Sequence, residues 1–221
     1  MSTRKLQSIY TRLYKHFGPQ DWWPGDSTLE IIVGAVLTQN TNWQNVEKAI
    51  AALKKVKVLS VKGLTRTPVR RLARLIRPAG YFNVKARRLK NFLRYLNTQY
   101  KGSLKKMGAA PAARLREELL SVNGIGPETA DSILLYAFGK PVFVIDAYTK
   151  RIFSRCGLVA PDIAYHDLQD FFMKRLPPDT AQYNEYHALI VNLGKDFCKP
   201  TPKCPACPLV SSCKFPSDSL R

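Results

Sequence analysis

Apolar residues recur along this chain at the three- and four-residue intervals of an α-helix, and the strict alternation of a half-buried strand is scarce. In STLEIIVGAVLTQN, Leu29, Ile32, Val33, Val36 and Leu37 fall on helical spacing behind Ser27 and Glu30, the residue pair of a capping box. IIVGAVL alone also reads as a buried strand; the cap decides for helix. VEKAIAALKKV, VRRLARLIRP, KARRLKNFLRYLNTQ and ARLREELLSV repeat the helical pattern, with turn signals such as RPAGYFN between them. The pattern predicts an all-α protein without internal repeats.

One junction is punctuated at both ends. ARLREELLSV is a helix, NGIG a turn, and PETADSILLYAF a second helix with Pro127 at its first position and Gly139 just past its end. In the turn Asn123–Gly124–Ile125–Gly126 the glycines let the backbone approach a ligand, and N–H groups ahead of a helix N-terminus make an anion site. An ordinary αα-hairpin closed by glycines is the plainer reading. Glu128, in the first turn of the second helix, also has a plain role as a partner of the helix dipole. The extended PVFVI then brings Asp146 to the start of the next helix; an isolated aspartate there is an N-cap.

The 221 residues include 35 Lys and Arg against 16 Asp and Glu, a net charge of +19 that points to a polyanionic partner, nucleic acid first, with solubility or a membrane surface as alternatives. Arg70, Arg71, Arg74, Arg87, Arg88 and Lys90 read as solvated helix faces, and spacing does not say which of them meets phosphate. MSTRKLQSIY has no apolar signal region and IIVGAVL is too short to span a bilayer, so a soluble, cytoplasmic protein with no membrane partner is expected, nucleoid-associated in a prokaryote. Five cysteines without a secretion signal argue against a disulfide framework. Cys198, Cys204, Cys207 and Cys213 are spaced C-x5-C-x2-C-x5-C among prolines, with no histidine, which suits a [4Fe–4S] cluster. Zinc is the alternative, though its structural sites usually come as two short-spaced pairs. Cys156 reads as a buried small apolar residue. Adjacent Trp22 and Trp23 read, by themselves, as a staple or lid over the core.

Taken together, NGIGPETAD, the apolar stretch ending at Asp146 and the four-cysteine loop resemble the endonuclease III branch of helix-hairpin-helix DNA glycosylases. LTQNT at 37 to 41 and GYFNVKARRL at 80 to 89 resemble that family's two DNA-probing loops, so the likeness covers nearly the whole chain. It implies two helical domains with the active-site cleft between them: a six-helix barrel with the hairpin at 28–140, and a domain of 1–27 and 141–221 holding the [4Fe–4S] cluster. It also implies a monomer acting on double-stranded DNA, with Asp146 catalytic, Gln39 the plug that fills the vacated stack and Tyr81 the wedge. A core position is the alternative for Tyr81.

Two departures refine the likeness. The family's cysteine loop usually begins C-x6-C, one residue longer than here. Endonuclease III proper has a Schiff-base lysine at the position of Glu128, and a carboxylate cannot form an imine. The adenine-mismatch branch also lacks the lysine, but Gly34 stands where it carries a proton-donating glutamate. DWWPGD, TQNTNW and GIGPETAD most resemble the 3-methyladenine branch, which implies a base pocket of Trp22, Trp23, Pro24, Trp43 and Glu128 and a monofunctional glycosylase for alkylated purines. The alternatives are a glycosylase for oxidised or mismatched bases and a non-catalytic DNA-binding or redox protein.

Overall fold

The periodic segments become helices whose ends are set mostly by short polar side chains. The computed structural model describes residues 3–215; the outermost ends of the predicted second domain, 1–2 and 216–221, lie outside the described residues. Among those described no strand is formed, and the stretch through PVFVI stays irregular. Nor is any helix among them long and apolar enough to cross a membrane. The helices are α1 (Thr3–Phe17), α2 (Thr28–Leu37), α3 (Trp43–Lys55), α4 (Val61–Arg66), α5 (Val69–Leu75) and α6 (Phe82–Tyr100). They continue with α7 (Leu104–Gly108), α8 (Ala112–Leu120), α9 (Pro127–Ser132), α10 (Ala147–Arg155), α11 (Tyr165–Met173) and α12 (Thr180–Asp196).

The chain divides into two compact units, Trp23–Lys140 and Met1–Trp22 with Pro141–Arg221. In the first, the Trp23 ring stacks on Tyr136 at 4.9 Å between centroids.

In the central unit, α2 buries Leu29, Ile32, Val33, Val36 and Leu37. Ser27 caps it by accepting from the Glu30 N–H at 3.3 Å, but the reciprocal half of the expected capping box is absent: the Glu30 carboxylate instead pairs with Lys54 of α3 at 2.7 Å. Lysine provides a charged partner that the Ser27 N–H cannot match. The second hairpin helix also departs from a uniform α-helix, since α9 widens into a π-helix over Ile133–Ala137 before Gly139 turns the chain at φ 62°. Ser132 donates its hydroxyl to the Glu128 carbonyl at 2.7 Å, where the ladder changes pitch. Arg116 of α8 grips the wholly buried Asp131 of α9 through Nε at 2.7 Å and Nη2 at 3.1 Å, locking the hairpin's two arms. Removing one member of such a pair typically costs about 3–5 kcal/mol.

The terminal unit is built on aromatic packing. Phe143 stacks on Phe172 of α11 at 4.1 Å and 8°, and Phe153 of α10 meets Phe172 edge-on. Leu6, Ile9 and Leu13 bury the inner face of α1, which the Tyr186 hydroxyl of α12 ties down through the Leu6 carbonyl at 2.9 Å.

Lys85 of α6 is 1% exposed, and its ammonium donates to the Leu37 carbonyl at 2.9 Å and the Ala79 carbonyl at 2.6 Å. Burial, aided by the charge of Arg88, pushes its pKa down to about 8 from 10.5. Between those values the unfolded chain holds a proton that the folded chain has lost, so this group's contribution to stability rises with pH across the window. Lys85→Met abolishes the titration. Chemical denaturation should therefore show the wild type gaining on the variant as pH rises from about 8 to 10.5. A difference that stays flat with pH would show that Lys85 keeps an ordinary pKa.

Candidate functional site

The turn between α8 and α9 has a glycine where no other residue fits. Gly124 sits at φ +96°, and a Cβ there would lie 2.3 Å from the Arg88 Cγ. The Arg88 guanidinium runs on to donate to Gln39 Oε1, and Gln39 Nε2 donates to the Gly124 carbonyl at 3.1 Å and to Thr129 Oγ1 at 2.8 Å. Gln39, just past α2, is thus bonded to the hairpin through its amide nitrogen and to α6 through its amide oxygen. Ile125 differs from its neighbours: its side chain is 4% exposed, packed inward with the apolar core, and its N–H is spent on the Val122 carbonyl. Asn123 and Gly126 are exposed, and a Cβ at Gly126 would meet nothing within 4 Å.

Tyr81 is not a core aromatic. It is 71% exposed and caps α6 from a left-handed backbone, φ 44° and ψ 31°. A non-glycine residue held there costs on the order of 1 kcal/mol or more, and an exposed ring gains no burial in return.

Trp23 and Trp43 meet edge-on at 5.0 Å and 82°, and Tyr136 stacks on Trp23 at 4.9 Å and 27°, so the three rings form one aromatic cluster. Trp43 opens α3 and donates its indole N–H to Glu47 at 3.0 Å. Gly34 of α2 packs against this cluster: a Cβ there would stand 3.3 Å from both the Trp23 Nε1 and the Trp43 Cη2. Any longer side chain would displace the rings. Pro24 and Glu128 of this unit are exposed, while Trp22, in the terminal unit, lies under the Lys195 ammonium at 5.6 Å.

Asp146 caps α10. One carboxylate oxygen accepts from the Thr149 N–H at 2.7 Å and the Thr149 hydroxyl at 2.8 Å; the other faces Nε2 of the buried His187 at 3.6 Å. Burial pushes its pKa up, but the bond and charge of His187 and the two Thr149 bonds outweigh it, and the net shift is downward. Asp146 is therefore an anion at neutral pH.

Cys198, Cys204, Cys207 and Cys213 line one small cavity, about 20 Å³, together with Phe215 and residues of α10 and α12. Among the described residues no three His, Cys, Asp or Glu side chains converge closely enough to hold a single metal ion. Cys156 is buried as expected but also lines this cavity, while the Cys213 thiol donates to the Arg155 carbonyl at 3.6 Å. Arg155 of α10 braces the loop by donating to Cys198 Sγ at 3.5 Å, Lys199 O at 2.5 Å and Pro200 O at 2.9 Å; Arg151 adds a bond to Cys198 O at 2.8 Å.

Sequence reading missed Tyr136, His187, Arg151 and Arg155, and took Arg88 for a solvated face. His187 carried a signal, being one of only 3 histidines and lying within an otherwise apolar run. Arg88 carried none, since its neighbours Arg87 and Lys90 look the same in sequence.

Residues 33–178 match the HhH-GPD superfamily of base excision DNA repair proteins. A Methanocaldococcus jannaschii protein provisionally named a DNA repair glycosylase is 45% identical over 96% of this chain and 99% of its own. Among solved structures, a non-covalent endonuclease III–DNA complex shares the fold, with a TM-score of 0.85 at 23% identity over 100% of this chain and 99% of that one. H. pylori 3-methyladenine DNA glycosylase bound to 1,N6-ethenoadenine is 29% identical, with a TM-score of 0.74 over 87% of this chain and 95% of that one.

The two turn glycines should respond differently to one added methyl. Gly124→Ala combines a positive φ with a clash against Arg88 and is expected to lower stability by about 1–3 kcal/mol. Gly126→Ala, at φ −95° and facing open space, should stay within about 0.5 kcal/mol of wild type. Matching thermal melts for the two variants would show that the turn relaxes around Arg88.

Proposed function

This chain belongs to the HhH-GPD superfamily of base excision DNA repair proteins, DNA glycosylases that hydrolyse N-glycosyl bonds, and we propose that it is a monofunctional member for alkylated purines, 3-methyladenine and its relatives, in double-stranded DNA. The aromatic cluster beside Gly34 carries the reading. Glycine at that position leaves room for the Trp23 and Trp43 rings and offers no carboxylic acid to protonate a departing base. A purine methylated at N3 is already cationic, so its glycosidic bond breaks without a general acid. Its flat positive ring also gains from electron-rich aromatic faces. The likeness to the H. pylori 3-methyladenine glycosylase supports the same substrate class.

In this reading the base departs with the electron pair of the glycosidic bond, which discharges its positive charge and leaves an oxocarbenium-like sugar. Asp146, held ionised by Thr149 and His187, stabilises that cation, and water adds at C1′ with loss of a proton. Glu128 replaces the amine that would form an imine, so the reaction stops at the abasic site. Pro24 and Glu128 complete the base pocket with Trp23 and Trp43. Flipping a base costs a few kcal/mol and empties a place in the stack, which suits Tyr81 as wedge and Gln39 as plug. The Tyr81 ring already stands exposed on a strained backbone, and Asn123, Gly124 and Gly126 present the turn to phosphate.

Cys198, Cys204, Cys207 and Cys213 would hold a [4Fe–4S] cluster. Four thiols around one cavity, braced by two arginines, make a suitable donor set, and burial together with mutual repulsion pushes Cys204 and Cys207 up. Bound there, the cluster would cross-link the loop to itself.

Two measurements test this reading. Purified protein should release 3-methyladenine from methylated duplex, leave the abasic strand intact and resist borohydride trapping. Asp146→Asn keeps an amide able to cap α10, so it should bind DNA normally yet lose activity by about 100-fold or more. Robust excision by that variant would leave Asp146 as a cap alone, and trapping of the wild type would mean that another amine forms the imine. Separately, aerobic purification should yield brown protein containing iron and inorganic sulfide in equal amounts; stoichiometric zinc without iron would overturn the cluster.

A further inference from the structure

The chain's positive charge is not spread evenly. Between Glu47 and Glu117 there is no aspartate or glutamate at all, while lysines and arginines continue throughout. The stretch covers α4 to α7, and its fold opens a groove of about 890 Å³ along α6. Arg87, Arg88, Asn91, Arg94 and Asn97 form its α6 wall, Thr65 and Val69 face them from α4 and α5, and Asn123 and Gly124 close one end. No acidic residue lines it among the described residues. Asn91 donates to the Asn123 carbonyl at 3.0 Å, fixing the hairpin end. Lys90 is not available to a ligand, since it is bonded to the Leu64 and Thr65 carbonyls at 2.7 and 2.8 Å. Arg87 and Arg94 are exposed, and among the described residues neither forms an ion pair.

We propose that this groove holds the phosphate backbone of the DNA strand as it continues past the hairpin, making it a flank-binding site separate from the base pocket. The inference rests on the protein being a DNA glycosylase but not on which base it excises. Groove and hairpin turn share Asn123 and Gly124, so a strand whose phosphate meets the turn runs directly into the groove. Residues at i, i+3, i+4, i+7 and i+10 from Val84 lie along one helix face, with Thr98 at the far end. At 1.5 Å per residue that face is about 21 Å long, matching roughly six nucleotides of duplex at 3.4 Å each. Guanidinium and amide donors without a competing carboxylate suit phosphate oxygens, and they carry no means of reading sequence.

The test compares the Arg87→Ala/Arg94→Ala double variant with wild type on duplexes of about 10 and about 25 base pairs, each with a central tetrahydrofuran abasic analogue, titrated across salt concentrations. On the long duplex the variant should bind about tenfold or more weakly at low salt, with a log K against log salt slope shallower by about 2. On the short duplex, whose five flanking base pairs span only about 17 Å and leave the Arg94 end of the groove unfilled, the loss should be clearly smaller. Lys105→Ala/Lys106→Ala, which removes the same charge from exposed positions of α7 outside the groove, should also stay within about twofold on the long duplex. Unchanged binding of the long duplex, an equal loss on both lengths, or an equal loss in the α7 variant would each overturn the proposal. Because the probe contains no base, these results stand apart from base release on methylated DNA, whose failure would remove the alkylated-purine reading and leave the groove untouched.

Discussion

A buried ammonium organises the DNA-facing side of the central unit. Lys85 joins the last turn of α2 to the turn before α6, so a single side chain sets where Gln39 and Tyr81 begin. Two neutral carbonyls hold the charge, and no carboxylate shares it, which explains why burial shifts its pKa so far down. A lysine is suited to this place because its three donors can reach two backbone segments at once, where an apolar residue of the same volume would leave both carbonyls unpaired. Arg88, one turn further along α6, extends the linkage to Gln39 and to the glycine turn. Tyr81, Gln39 and the hairpin are thus coupled through one helix.

Two glycines do opposite kinds of work in that framework. Gly124 is required by backbone conformation and by the arginine stem packed against it, whereas Gly34 is required by the volume of two tryptophan rings. In the second case, a side chain at position 34 and the two rings beside it would compete for the same space.

Asp146 shows that a structural and a chemical reading of one residue need not compete. The bonds from Thr149 that make it a helix cap also keep it ionised, and only one of its oxygens is committed to the cap. The cysteine loop follows a similar economy. Arg151 and Arg155 satisfy backbone carbonyls that a tight, proline-rich loop cannot pair internally, and the same two side chains bring cationic charge close to the thiols.

Much was legible in the sequence because it depends on local rules. Helical spacing, the Ser27 cap, Pro127 and Gly139 at the ends of the second hairpin helix, and the glycine turn follow from backbone geometry within a few residues, and the motif order was enough to indicate the glycosylase family. What sequence left open depended on partners distant along the chain. Glu30 completes a capping box on paper, yet Lys54 of the next helix outcompetes Ser27 for it. Tyr81 was equally suited to core and surface until the left-handed turn placed it outside, and Ile125, grouped with its outward-facing neighbours, turned inward. Arg88 and Arg87 are adjacent and chemically identical; packing alone makes one a strut beneath Gly124 and leaves the other exposed. Short-range sterics and hydrogen bonding act along the chain and can be read from it, whereas the choice among competing partners is made only when tertiary packing brings distant residues together.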